Sequence, residues 1–459
     1  MSDLQTSGNP TRDTVQDEAS ADSRPGVVAS VVLVLGICGL IVAWPMPHVI
    51  ALRNTFVVLL TGLVFLSPPL RTGLLAVLRR SRPAAIYFMF LGWTLAVALF
   101  ISGSPGESLV EMKAEWLPST LALIIGLAAG VQIVNKAELG IRLRWAVVIA
   151  LFSHPIFHVL FGLALVVPGY GLPTEFAGLM DHRANVTYIN ALALAFVFAD
   201  LLFRIRWGRG LTGDPRIAVV GLGFVAASSI LAVTRNGVIT LLVLSVVFAS
   251  VALTASRISN ARKIAAALVF LLLCAAYSFV AIKIDSRWQR LVATAPVAWD
   301  IDTHHTWIDS SKYPPPPAAD GGRVDVSAYE RIAWARLGSR FVLEHPFGTE
   351  ISRAAFKHLV AAKYGEAYMG HSHVGYIDLA ISVGFPGLLL WLAFIGLLMA
   401  SGWRAYRTGR SIWGLILLFT VAGYAIRCGI DSIIRDHILE EFMFFAGLSA
   451  AALATEERA

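Results

Sequence analysis

Two histidines stand close together in His371-Ser372-His373-Val374-Gly375-Tyr376-Ile377-Asp378-Leu379, just ahead of the apolar run from Leu388 to Met399. Imidazole changes charge near neutral pH and is the side chain most often used to move a proton. Here it lies where a long polar segment, Ile284 to Gly370, meets a hydrophobic stretch of membrane-spanning length. The chemistry on offer is proton transfer at a water–lipid boundary, although either histidine could also be an ordinary interfacial side chain with a wet tip.

Arginines supply the complementary chemistry. Arg235, in Thr234-Arg235-Asn236-Gly237, falls in a tight turn between two apolar segments, and Arg331 lies in Tyr329-Glu330-Arg331-Ile332-Ala333-Trp334. A guanidinium at headgroup level is suited by its planar fork to a diphosphate. The competing readings are a snorkelling arginine on ordinary lipid phosphate for Arg235, and a solvated charge paired with Glu330 or Glu344 for Arg331. Arg183, in Asp181-His182-Arg183-Ala184-Asn185, and Arg427, near the end of an apolar segment, are further candidate substrate contacts. His154 and His158 share a helix face at i, i+4. With no third ligand nearby in sequence, a hydrogen-bonded bundle interior suits them better than a metal. Arg53 and Asp200 read as structural charges. The nearest approach to an acidic metal-binding pair is Asp300-Ile301-Asp302, far in sequence from His373, and no His-Glu-x-x-His, Walker or Gly-x-Ser-x-Gly element occurs. No metal and no cofactor are implied.

These residues sit in a chain built for lipid. Of 459 residues 57% are hydrophobic and 15% charged, and the mean hydropathy is +0.69, whereas soluble domains run at about 45–50% apolar and about 25% charged. Taking roughly 20 residues per crossing, about twelve apolar segments qualify: 27–44, 49–68, 84–102, 118–134, 146–168, 187–203, 216–233, 237–255, 264–283, 375–402, 411–428 and 437–455. Arg71, Arg79, Arg80, Arg82, Lys136, Arg142, Arg144, Arg204, Arg206, Arg209, Arg216, Arg257, Arg262, Lys263, Arg404, Arg407 and Arg410 fall on one side of these segments. Only Lys113, Arg183, Arg235 and Arg435 fall in the short connections on the other. By the positive-inside rule both termini are then cytoplasmic and Ile284–Gly370 is periplasmic. That rule also accounts for the net charge of +7, so no nucleic-acid partner is inferred. Cys38, Cys274 and Cys428 lie in or beside apolar segments with no paired spacing, which implies no disulfide framework.

The expected organisation is a disordered cytoplasmic tail over 1–25, nine spans over 26–283, a large loop over 284–372, and three spans with a short cytoplasmic end over 373–459. The tail is too polar to fold. Within the loop, Pro314 to Pro317 favour an extended spacer. Ser327-Ala328-Tyr329-Glu330 reads as a capping box opening a helix to about Glu344, with Tyr329, Ala333, Leu337 and Phe341 as its apolar stripe. A second helix is expected over 351–363. The loop thus reads as a helical cap over the ends of the spans.

His373 precedes Gly384 by eleven residues, and Gly384-Phe385-Pro386-Gly387 forms a Gly-x-x-Gly pair. In this interval the segment resembles the C-terminal signature of the O-antigen ligase and polymerase (Wzy/WaaL) membrane glycosyltransferases, departing from it at Val374, where the family prefers a polar residue. Arg235 in its turn and Arg331 ahead of Glu344-His345-Pro346-Phe347-Gly348 extend the resemblance. It implies an all-α polytopic, GT-C-like fold in the bacterial inner membrane. It also implies inverting, metal-independent transfer of undecaprenyl-diphosphate-linked O-antigen to lipid A-core at the periplasmic face, with His373 as general base and Arg235 and Arg331 on the diphosphate. Arg183, Arg427 and His371 are secondary substrate contacts in this reading. A polymerase of O-antigen or exopolysaccharide, or a protein O-oligosaccharyltransferase, would share the signature; a polysaccharide or lipid transporter fits less well, because the polar groups gather at one membrane face and no repeat is seen.

Overall fold

The computed structural model describes residues 26–134, 138–166, 176–255, 259–285, 287–365, 367–409 and 411–458. The expected tail over 1–25 and the basic residues Lys136, Arg257 and Arg410 lie outside the described residues. Each of the twelve apolar segments is helical over nearly all of its described part. The first nine form α1 Val27–Ala43, α2 Ile50–Leu66 with α3 Pro68–Leu78 bent from it by 90°, α4 Arg82–Ala96 continuing through a π-turn at Val97–Ile101, α5 Pro105–Ile133, α6 Glu138–Val166, α7 Arg183–Trp207, α8 Pro215–Leu231, α9 Arg235–Ala255 and α10 Asn260–Ile284. Three shorter helices follow, α11 Arg287–Trp299, α12 Val326–Glu344 and α13 Ala355–Tyr364, and then α14 Gly375–Thr408, α15 Ile412–Cys428 and α16 Asp436–Glu456. Among the described residues the strand-like pairing is confined to one bridge between Pro317 and Arg323.

The protein is an all-helical chain of polytopic membrane type. Among the described residues it has 8 helices long and apolar enough to cross a bilayer, up to 9 if the bent α2–α3 pair is one span, and α1, α8 and α15 are shorter apolar helices. Helix starts are fixed locally. The side chains of Ser81, Asp214 and Ser411 accept from the first-turn N–H groups of Ala84, Arg216 and Trp413. Pro215 occupies the first position of α8, where no N–H is needed. In the interior, α16 lies directly on α5. A Cβ at Gly126 would fall 2.2 Å from the Phe444 carbonyl oxygen and one at Gly130 2.1 Å from that of Leu448, so the backbones meet as they do where small residues line membrane helix pairs.

Two details of the loop correct the sequence reading. The cap of α12 is Asp325, whose carboxylate accepts from Ala328 N–H at 3.1 Å, in place of the expected Ser327; an aspartate two positions earlier takes the orphan donor first. The following helix begins at Ala355, four residues later than expected, behind the turn at 352–354. The apolar stripe falls as expected: Tyr329, Ala333, Leu337 and Phe341 are buried, and together with Trp307, Phe356, Val360 and Ile381 they make a small core of their own against the start of α14.

α14 is broken at Gly384, which adopts φ 65° and ψ −177°. Gly348 of the His345-Pro346-Phe347-Gly348 turn (φ 93°) docks on the break: a Cβ at Gly384 would sit 2.2 Å from Phe347 C, and one at Gly348 2.4 Å from Ser382 O. The polar groups freed by the break are met. Phe385 N–H donates to Pro346 O at 2.8 Å, Thr349 Oγ1 to Ile381 O at 3.0 Å, and Trp93 Nε1 to Val383 O at 2.6 Å. Residues 385–408 alone extend roughly 36 Å at about 1.5 Å per residue, enough for the ~30 Å hydrocarbon layer. The first part of α14, with the histidine turn before it, is left as a separate short helix at the end of the bundle.

Candidate functional site

α12 presents Arg331, Trp334 and Gly338 along one stripe to the turn that carries the histidines. The Trp334 ring stacks on His373, with centroids 5.3 Å apart and an interplanar angle of 13°, and a Cβ at Gly338 would already touch Ser372 Cβ at 3.3 Å. The turn itself is tied down. Ser372 N–H donates to Asp378 Oδ1 at 2.8 Å, the Ser432 hydroxyl binds the other Asp378 oxygen, Gly375 N–H donates to Asp431 O at 3.1 Å, and His373 N–H donates to His371 Nδ1 at 3.2 Å. These bonds hold His373 in a left-handed backbone conformation, φ 62°, which a non-glycine residue adopts at a cost of order 1–2 kcal/mol. His373 Nδ1 is buried and has no hydrogen-bond partner among the described residues, so one ring nitrogen is left unsatisfied inside the protein.

Beside this turn the structure gathers the arginines that the sequence scatters. A cavity of about 270 Å³ is lined by Arg183, Arg235, Arg287, Arg331 and Arg427, together with Asp431. Several of these guanidinium groups already meet a carboxylate: Arg235 with Asp325 at 2.7 Å, Arg287 with Asp285 at 2.7 Å, and the buried Arg427 with Asp431 at 2.9 Å. Arg427 also donates to Thr187 Oγ1 at 2.9 Å, and Asn236 Nδ2 to Asp431 Oδ2 at 3.3 Å. Arg331 differs, because no described group hydrogen-bonds to or ion-pairs with its guanidinium; the expected pairing with Glu330 or Glu344 is not made, and Glu344 pairs with Lys363 at 2.7 Å. Burial draws Arg331 below the ordinary arginine range, opposed by the Asp431 charge and reinforced by Arg235 and Arg427.

The electrostatics of the turn follow from this crowding. Burial, then the Arg331 charge, pull the His373 imidazole down to about 4, and burial, then Arg435 and His373, pull His371 down to about 3. Both rings are neutral at pH 7, and a neutral imidazole is what a base requires. Burial acts to raise Asp431, but the Arg427 and Arg331 charges and the Asn236 hydrogen bond outweigh it and hold its carboxyl below the usual range. His373 and Asp431 feel each other's charge.

The candidate residues do not all share one space. Arg183, Arg235, Arg331 and Arg427 line the arginine cavity, while His371 lines a separate cavity of about 50 Å³ with Glu115, Arg353, Asp378 and Arg435. Arg235, expected on phosphate alone, is bound to the cap of α12. His154 and His158 hold separate partners, Ile41 O at 3.2 Å and Phe176 O at 3.0 Å. Arg53 donates to Trp44 O at 3.2 Å, and Asp302 forms two bonds with Arg340, at 2.6 and 2.5 Å. Arg287, Trp334, Asp325 and Asp431 are site residues that the sequence reading missed. For Asp431 and Arg287 a signal existed, the i+4 spacing from Arg427 and the neighbouring Asp285; the partner of Asp325, Arg235, comes from the tertiary fold.

The fold and site thus define a polytopic helical chain of membrane type with an arginine-walled cavity beside a buried histidine. Residues 218–392 match the family model described as Wzy_C, O-antigen ligase. That segment runs from α8 past the break in α14 and contains Arg235, Arg331, His371 and His373, and over it the chain is similar to the O-antigen ligase family. No curated protein matches the chain.

Proposed function

We propose that the chain is an O-antigen ligase that transfers undecaprenyl-diphosphate-linked O-antigen to lipid A-core at the periplasmic face of the inner membrane, crossing the bilayer about twelve times with 284–372 as its periplasmic cap. The observation that carries this reading is the unpartnered Arg331 guanidinium in a cavity shared with Arg183, Arg235 and Arg427, beside a histidine with a free, buried ring nitrogen. The donor's diphosphate binds the arginines. His373 takes the proton from an acceptor hydroxyl as that oxygen attacks the anomeric carbon from the face opposite the diphosphate, so configuration inverts; the bond from the anomeric carbon to the diphosphate oxygen breaks, and the charge developing there is met by fixed guanidinium groups in place of a metal. The bound diphosphate also supplies negative charge that counters Arg331, raising the basicity of His373 when the donor is present. His371 supports the turn through its Nδ1 and borders the neighbouring cavity, where an acceptor group would approach.

Purified protein in vesicles, given undecaprenyl-diphosphate-linked glycan and lipid A-core in excess EDTA, should yield glycan-bearing lipid A-core on gels. Loss of transfer with chelator, restored by magnesium, would overturn the metal-independent step. Extension of the donor glycan with no acceptor consumed would assign a polymerase, and glycan on protein alone an oligosaccharyltransferase. Cysteine labelling at Ser310 from the cytoplasmic side would reverse the orientation.

A further inference from the structure

A third cavity, of about 600 Å³, lies at the other end of the helices from the histidine turn: it is entered beside the start of α8, whose far end leads to Arg235. Its walls are almost wholly apolar, with Trp145, Ile149 and Phe152 from α6, Val197 from α7, and Val220 and Phe224 from α8. It opens sideways, since Ile149 and Val220 are 61% and 58% exposed on the bundle surface. The volume falls in the roughly 300–1,000 Å³ range of sites that hold a small ligand.

The polar groups of the lining sort cleanly. Asp200 is neutralised from within: Arg204 Nε donates to it at 2.6 Å, and the N–H groups of Leu211 and Thr212 at 2.5 and 3.2 Å, so its charge is used to close the 208–214 connection. Arg216 is exposed at the first turn of α8, and no described group hydrogen-bonds to or ion-pairs with its guanidinium. A hydrocarbon slot opening to the bilayer with one unpaired cation at its end complements a molecule with an apolar tail and an anionic head.

We propose that this cavity binds one acyl chain of an anionic phospholipid from the leaflet on that side, with Arg216 on its headgroup phosphate. A polyprenyl tail reaching down from the arginine cavity would fill the same hydrocarbon walls, but it brings no charge to Arg216. The site is independent of the glycosyl-transfer reading, because it needs only a bilayer.

The test uses the full-length protein, delipidated in detergent, titrated with dioleoyl phosphatidylglycerol or dioleoyl phosphatidylcholine, and read as bound lipid by native mass spectrometry. The wild-type protein should hold one phosphatidylglycerol about fivefold more tightly than phosphatidylcholine, the effect of about 1 kcal/mol for one arginine near an anionic headgroup. Arg216→Gln, a change at an exposed side chain, should abolish that preference, and Val220→Trp, which fills the slot from its exposed rim, should weaken both lipids while the melting temperature in detergent stays unchanged. Equal binding of the two lipids by wild type, or an undiminished preference in Arg216→Gln, would overturn the proposal. Displacement of the phospholipid by undecaprenyl diphosphate, equally in wild type and Arg216→Gln, would assign the slot to a polyprenyl tail and overturn it as well.

Discussion

Arg331→Lys isolates the shape of a charge from its presence. Arg235, Arg287 and Arg427 each hold a resident aspartate, so any substitution there also breaks a bond of the free protein. Arg331 holds none, and a change in its donor geometry is felt by the substrate alone. Lysine keeps the positive charge but replaces a two-pronged donor by a point charge. Losing one of two parallel charge-assisted bonds, at about 1.5–3 kcal/mol each, lowers kcat/KM by about 10- to 150-fold, taking about 1.36 kcal/mol per tenfold. The assay is initial-rate transfer in vesicles over a range of donor concentrations, with the melting temperature recorded for each variant. Since lysine preserves the charge that helps to hold His373 neutral, the acid limb of its pH profile should not move. Arg331→Met should abolish transfer and raise the melting temperature, because the lost guanidinium is opposed by burial and by Arg235 and Arg427. An Arg331→Lys enzyme within twofold of wild type at limiting donor would refute the bidentate role, and an Arg331→Met protein that melts lower would refute the idea that the free protein strains to keep this charge.

His373→Ala should abolish transfer with the protein still in the membrane, whereas His371→Ala should retain appreciable activity; the reverse pattern on lipopolysaccharide gels would exchange their roles. The pH dependence has a definite sign: His373 must be unprotonated, and with its imidazole pulled down to about 4 in the free protein, kcat/KM should stay flat from pH 8 to about 5 and fall below that, while a limb near pH 6.5 in kcat/KM would contradict the buried, Arg331-coupled imidazole. Gly384→Ala adds a Cβ 2.2 Å from Phe347 C at φ 65°; positive-φ strain and overpacking together cost roughly 2–5 kcal/mol, so thermal unfolding should shift sharply downward, and an unshifted transition would mean that the docked turn is not held as described.

What the sequence made legible was what is local or periodic. The twelve apolar segments, the stripe of Tyr329, Ala333, Leu337 and Phe341, and the interval from His373 to Gly384 are all patterns along the chain, and each meets a matching element in the structure. Gly384 shows why such an interval carries information: a positive-φ break pressed against Phe347 and Gly348 admits no side chain, so the distance from the histidine turn to the break is fixed by backbone geometry. The start of α12 was misread for a similarly local reason, two competing caps two residues apart, of which Asp325 prevails because its other oxygen is also engaged by Arg235.

That last pair shows what a linear reading cannot weigh. Arg235 and Asp325 are separated by ninety positions, and neither sequence neighbourhood announces the other, yet the pair joins the first residue of α9 to the helix that carries Arg331 and Trp334. The same holds for Trp334 on His373 and for Thr187 on Arg427. Each partnership changes the meaning of a residue already noticed: Arg235 becomes a strut as well as a candidate phosphate ligand, and Arg427 becomes half of a buried pair. Arg331, the guanidinium in this cavity wall for which a solvated partner was the simplest expectation, has none among the described residues: Glu344 lies about 20 Å further along α12, at about 1.5 Å per residue, and pairs with Lys363. A half-buried cation left unpaired is expensive unless a ligand compensates it, and the pairing of its neighbours is therefore what singles out Arg331 as the place where an incoming anion gains most.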